Sequence, residues 1–309
     1  MNSRGIRLLL ACFLTALGIL AEAANAALPA PVDANAAARL RQHFDGLHSA
    51  FAASPFKRPL LIESQQSYNE IRGDIYAHIK HPFPALRSVL GNPANWCDIL
   101  ILHLNTKFCQ LQPPLAGSIA GPSSANLILN IGKKYGQPLA DSYRLDFLWR
   151  AVTDTPDVLQ VVMSADSGPL GTHNYRIKIE AIPINTTSTF LHLSYDYEFG
   201  FASRLLMNAY LNTVGRHKIG FTVTGHQTDG QPIYVDGMLG VVERNTMRYQ
   251  LAVEAYLDAL ASPPSAQFER RIAGWFIATE RYPLQLHEMP QSDYLVMKRV
   301  EYQRQQKRE

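Results

Sequence analysis

The chain has 309 residues, of which 47% are hydrophobic and 18% charged, with a formal net charge of +3. That is ordinary composition for a folded protein and excludes disorder at large. The basic excess concentrates in the terminal stretch KRVEYQRQQKRE, without the interleaved aromatic and basic motif of a nucleic-acid binder, so the expectation is no nucleic acid among its partners.

Residues 1–26 read as a secretory signal. Arg4 and Arg7 supply the charged start, residues 8–20 the apolar run, and Ala24-Asn25-Ala26 the small-residue cleavage site. The apolar run is too short to span a hydrocarbon core of about 30 Å. The lipoprotein alternative, Leu9-Leu10-Ala11-Cys12, puts its cysteine too early in that run. The mature chain is expected to begin near Ala27 and to be periplasmic or secreted.

Residues 27–58 form an N-terminal extension in which Leu40, Phe44, Leu47 and Phe51 share one face of a helix over 36–51. Extended segments follow at 60–64 and 73–80, then a helix over 85–90. Asn92-Pro93 opens a second helix, with Trp96, Ile99, Leu100 and His103 on one face. From Thr106 to Phe199 the apolar period is two. Phe147 and Trp149, Ile177 and Ile179, and Leu193, Tyr195 and Tyr197 fall on one parity; Arg144, Asp146, Arg150, Arg176, Lys178, Glu180, His192, Asp196 and Glu198 fall on the other. This predicts an antiparallel sheet with one apolar and one wet face. A helix over 203–214 and an extended segment over 218–224 come next.

Within residues 241–261 the spacing of Tyr249, Val253, Tyr256, Leu257 and Leu260, widened by Met247, Leu251 and Ala255, predicts a long, deeply buried helix capped by Asn245 and stopped at Ser262-Pro263-Pro264. Residues 262–309 make a C-terminal extension, helical over 267–279 and then extended or helical over 294–300.

Few motifs carry chemistry. Cys97 and Cys109, the two cysteines left after signal cleavage, can bridge only if the chain reverses between them. A helix to His103, a turn at Asn105 and a strand from Thr106 would do this; two separate buried thiols are the alternative. His78 and His81 could share a metal only across a bend, and no recognised ligand spacing occurs, so neither metal nor cofactor is expected. Ser123, Ser124 and Ser167 read as turn formers. Asp98, Asp146, Arg150 and Glu180 are candidates for acid or base work, the last three on the wet face. The apolar face carries a few polar tips: Tyr143, Tyr175, Tyr195, Tyr197 and the Trp149 indole. Phe147, Trp149, Ile177, Ile179, Leu193, Tyr195 and Tyr197 are expected to line a cavity capped by Met247 and Leu251.

The order of elements in GDIYAHIKHPFPALRSVL, NWCDILILHLNTKFC, YRIKIEAI, FLHLSYDYEFG and GVVERNTMRYQLAVEAYLDAL resembles the helix-grip fold of START and SRPBCC proteins over residues 59–261. The resemblance implies an α+β fold, a curved antiparallel sheet wrapped on a long C-terminal helix, with extra helices at both ends. It also implies a hydrophobic small-molecule ligand, such as a lipid, sterol or polyketide, held between sheet and helix. No catalytic residue carries over, since these proteins share no fixed one. The expected function is an exported carrier of such a ligand, with transient contact to a membrane surface and no assigned oligomeric state. The alternatives are a cyclase- or hydrolase-type pocket enzyme, and an envelope interaction module with a filled core that makes contact through the basic tail or the Trp275 helix.

Overall fold

The computed structural model describes residues 35–112, 123–201, 203–205, 207, 213 and 218–307. The signal assigned to 1–26 lies outside the described residues, as does most of the helix expected over 203–214. The N-terminal helical region is two pieces, α1 (Ala36–Gly46) and α2 (His48–Ala52), that break at Leu47.

Strands β1 (Leu60–Gln66) and β2 (Glu70–Ile79) form a hairpin, followed by α3 (Phe83–Leu90) and α4 (Trp96–Leu100). Six further strands follow: β3 (Thr106–Gln112), β4 (Ser124–Ile131), β5 (Tyr143–Asp154), β6 (Leu159–Ser167), β7 (Thr172–Asn185) and β8 (Ser188–Phe199). The eight strands form one antiparallel sheet in the order β1-β2-β8-β7-β6-β5-β4-β3. Strands β3 to β8 are thus a meander of sequential neighbours, and β2 pairs with the last of them. The extended segment expected over 218–224 is instead shifted into β9 (Val223–His226), which pairs with β10 (Pro232–Tyr234) as a separate hairpin.

The long helix α5 (Gly237–Ala259) lies across the inner face of this sheet. Gly73 on β2 permits the approach: a β-carbon there would stand 2.4 Å from Thr246 Oγ1. The helix begins well before Asn245, at a turn where Gly237 takes φ +58° and Asp236 is the cap residue. Asn245 is an interior position. Its neighbours Glu243, Arg244, Arg248 and Gln250 are polar yet buried, so apolar spacing alone could not locate the start. Glu243, for instance, accepts from the backbone N–H groups of Phe221 and Thr222 and from the Ser64 hydroxyl.

Helices α6 (Pro264–Thr279), α7 (Pro283–Leu286) and α8 (Gln291–Lys307) complete the chain, so residues 294–300 are helical. On α6 Trp275 is buried, and its indole N–H donates to the Arg248 carbonyl at 3.1 Å. Part of the basic tail is also interior. Lys298 is wholly buried on α8, donating to the His103 and Thr106 carbonyls at 2.7 and 3.0 Å.

Cys97 on α4 and Cys109 on β3 form a disulfide, with Cα atoms 5.1 Å apart. The required reversal falls at His103–Thr106, where the Thr106 N–H bonds to the His103 carbonyl at 3.1 Å.

The outer face is only partly wet. Arg144, Asp146, Arg150 and Arg176 are exposed, but Glu180, His192 and Asp196 are buried. Over the β7 and β8 end of that face α1 packs Leu40 and Phe44 against Ile182 and Phe190, and Arg39 of α1 pairs with Glu180 at 3.1 Å. Alternation gives the parity of a strand residue; it does not say what covers that parity.

Candidate functional site

Cross-strand register places the inner-face side chains in rows. One runs Gly73, Tyr195, Ile177, Met163, Trp149, Ala125 across β2, β8, β7, β6, β5 and β4. The next contains Ile75, Leu193, Ile179, Val161 and Ala151. Phe147 lies beside Leu127 and Tyr197 beside Ile71. All seven strand residues read from the sequence as lining, with Met247 and Leu251 of α5, are buried in a single hydrophobic cluster. Tyr143 does not join them: at the start of β5 it is 42% exposed.

Within that cluster the polar tips are concentrated. Tyr175 stacks on Tyr197 at 5.1 Å between ring centroids, and Tyr195 lies 5.7 Å from Tyr197. Tyr195 also meets Tyr249 of α5 at 5.4 Å, and Tyr249 stacks on His103 at 4.8 Å. Sequence reasoning placed Tyr249 and His103 on the apolar faces of their helices without bringing them to this site. Burial raises the phenols of Tyr195, Tyr197 and Tyr249, and pushes Tyr175 up to about 12. These tyrosines are therefore neutral at physiological pH and act as hydrogen-bonding groups, not bases. The Tyr175 hydroxyl is 2.8 Å from that of Thr172. Trp149, 2% exposed, has no hydrogen-bond partner for its indole N–H among the described residues.

Surface clefts among the described residues lie elsewhere. One of about 290 Å³ is lined by Arg58, His78, His81, Glu254, Asp258 and Arg281. His78 and His81 do face one cleft, and His81 Nε2 stands 2.8 Å from Asp258 Oδ1, but no three potential metal ligands converge among the described residues. Clefts of about 430 and 380 Å³ lie beside α1 and between α8 and residues 136–137. Of the other candidate acid or base residues, Asp98 pairs with Arg271 at 2.6 Å and Asp146 with Arg144 at 2.7 Å. Glu180 is taken up in a buried ion network on the outer face.

An antiparallel sheet, interrupted after β2 by two helices and gripping one long C-terminal helix on its inner face, decides the architecture. The chain has a helix-grip fold. No family model matches the sequence, and no curated protein is similar to it. Among solved structures it is similar to Zhui aromatase/cyclase from Streptomyces sp. R1128, at 11% identity over 62% of this chain and 96% of that one, with a TM-score of 0.36. Norcoclaurine synthase from Thalictrum flavum matches at 14% identity over 49% and 89%, TM-score 0.33. Human StAR-related lipid transfer protein 5 matches at 7% over 57% and 89%, TM-score 0.31. The strand order and the seating of α5, not these loose superpositions, define this helix-grip chain.

Proposed function

We propose that this protein is an exported carrier that binds a hydrophobic small molecule between the inner face of the sheet and α5. The observation that carries the reading is the Trp149 indole N–H, buried without an acceptor among the described residues in a largely apolar face. An orphaned buried donor costs about 1–3 kcal/mol, a penalty a filled core has no reason to retain and a ligand carrying an acceptor would remove. The neutral tyrosines of β7 and β8, on the same face of the sheet, fit the same role: apolar bodies with a few polar tips are the usual lining of small-molecule sites. Their raised pKa values favour binding over acid or base chemistry at this face.

The test is uptake of prodan, an uncharged apolar fluorophore with one carbonyl acceptor. Saturable uptake with a blue-shifted emission is expected. Trp149→Phe, which keeps an aromatic ring and deletes the donor, should weaken that uptake about tenfold, equivalent to losing one hydrogen bond of about 1.4 kcal/mol, while leaving the protein folded. A folded wild type that takes up no probe would show a filled core and replace the carrier with the interaction module.

Export is supported by the Cys97–Cys109 disulfide, a bond that persists in oxidising compartments. Protein recovered from exporting cells should begin near Ala27 and carry this bridge. Reducing it should cost about 2–3 kcal/mol of stability, the chain-entropy value for a short closed loop. Recovery of two free thiols, or retention of the Arg4 region, would refute export.

A further inference from the structure

Beside the aromatic cluster lies a group of charges that the carrier reading does not use. Glu288, in the loop between α7 and α8, is contacted by four basic side chains from three parts of the chain. Lys218 Nζ is 2.8 Å from Oε2 and Arg248 Nη2 is 2.9 Å from Oε1; Lys134 and Arg244 also pair with Oε1. The side chains of Arg244 and Arg248 are 4% and 2% exposed. No second carboxylate pairs with Lys134, Lys218 or Arg248 among the described residues. Burial and the neighbouring Arg248 and Arg244 charges push Lys134 down to about 6, and holding cations this close together at low exposure is costly unless further negative charge arrives.

Two unpartnered polar atoms point the same way. Arg248 Nε has no hydrogen-bond partner among the described residues, although the residue is almost wholly buried. His103 is also buried. Its Nδ1 accepts from the Asn105 N–H at 3.2 Å, so in the neutral ring Nε2 carries the proton, and that donor has the Asn245 side chain near it but no partner within hydrogen-bond geometry among the described residues. Burial and the nearby Arg248, Lys298 and Lys134 charges hold the ring neutral. The lysines are the open side of the cluster, at 26% and 22% exposure for Lys134 and Lys218.

We propose that Lys134, Lys218, Arg248 and the His103 N–H form an oxyanion-binding site in which Glu288 holds part of the place of the anion. Guanidinium and ammonium groups at this spacing suit a carboxylate or a phosphate equally. The His103 ring stacks on Tyr249, which meets Tyr195, so the site adjoins the inner face. The oxyanion is thus either the head of an acyl-chain ligand or a free phosphate. The site itself stands without the carrier reading, and only its acyl-chain source rests on that reading.

The test uses the full chain with its disulfide intact, titrated with inorganic phosphate, decanoate and decanol, and read by calorimetry and thermal melting. An anion should bind and raise Tm, and Lys134→Met and Lys218→Met should each weaken it about tenfold, as expected for losing one charge-assisted hydrogen bond. Decanoate binding that depends on both lysines, with decanol indifferent to them, assigns an acyl carboxylate; phosphate binding with the same dependence assigns a free oxyanion. Glu288→Gln should melt lower at low ionic strength and be rescued by the bound anion but not by equal ionic strength of chloride. Absence of binding by both anions, or equal affinity in the lysine variants, or rescue by chloride alone, would overturn the site. Prodan uptake surviving that result would leave the carrier reading in place.

Discussion

Replacing His192 by alanine is expected to cost about 3–5 kcal/mol, because it strips two buried carboxylates of the cation between them. His192 Nε2 lies 2.7 Å from Asp74 Oδ1 and its Nδ1 3.0 Å from Glu180 Oε2, while Tyr76 stacks on its ring at 4.5 Å. With a carboxylate on each nitrogen, both must carry protons, so the ring is an imidazolium. Burial alone would lower its pKa, but the hydrogen bonds to Asp74 and Glu180 raise it above the ordinary value. Burial would likewise raise the two acids. Hydrogen bonds from His192 and charges from Lys178 and Arg72 instead hold both below the usual carboxylate range.

The signs of these shifts set a pH window. The raised His192 contributes stability fully below about pH 6.5, its unfolded value, and loses it as pH rises through the folded value. The depressed Asp74 and Glu180 contribute above about pH 4 and lose their contribution as pH falls through their folded values. The network should therefore stabilise most in mildly acidic solution, with a decline on the alkaline side. Denaturant melts across this range should show that decline in the wild type and its absence in His192→Ala. A loss under about 1 kcal/mol, the range of an exposed pair, would contradict the assignment of a buried network.

The inner face was legible because a strand read by parity needs no knowledge of its neighbours. Phe147 and Trp149, Ile177 and Ile179, and Leu193 and Tyr195 alternate cleanly, and register then aligns them across the sheet. The disulfide was legible for a similar local reason: Cys109 lies twelve positions after Cys97, and Asn105 and Thr106 offered a reversal between them. Coverage of the other face was not legible. The amphipathic pattern of Leu40 and Phe44 announces a helix but not the strands it lies on, so Glu180 and His192 read as solvated. The true start of α5 was hidden in the same way. Arg248 and Glu288 are forty positions apart, and neither alone shows that the other neutralises it.

The C-terminal helix carries the same lesson into the second prediction. Lys298 and Glu301, within the stretch that reads as a basic tail, are buried against β3 together with Lys107. Glu301 accepts from Lys107 at 3.0 Å and from Lys298 at 2.7 Å, one oxygen to each. Glu301→Ala should cost about 3–5 kcal/mol, since it leaves two buried ammonium groups with backbone carbonyls but no counter-charge. Burial and the neighbouring Lys107 lower Lys298 to about 8, against the attraction of Glu301. Because the unfolded lysine titrates near pH 10.4, the unfolded chain binds more protons between the two values, and stability should rise with pH there. Without Glu301 the folded value falls further, so that rise should begin at lower pH in the variant. A control separates lost charge from lost packing: Lys107→Met, Lys298→Met and Glu301→Leu combined should recover most of the stability, as apolar replacements of buried ion clusters commonly do. If Glu301→Ala melts like the wild type with an unchanged pH slope, α8 does not bury these charges in solution and the tail is solvated after all.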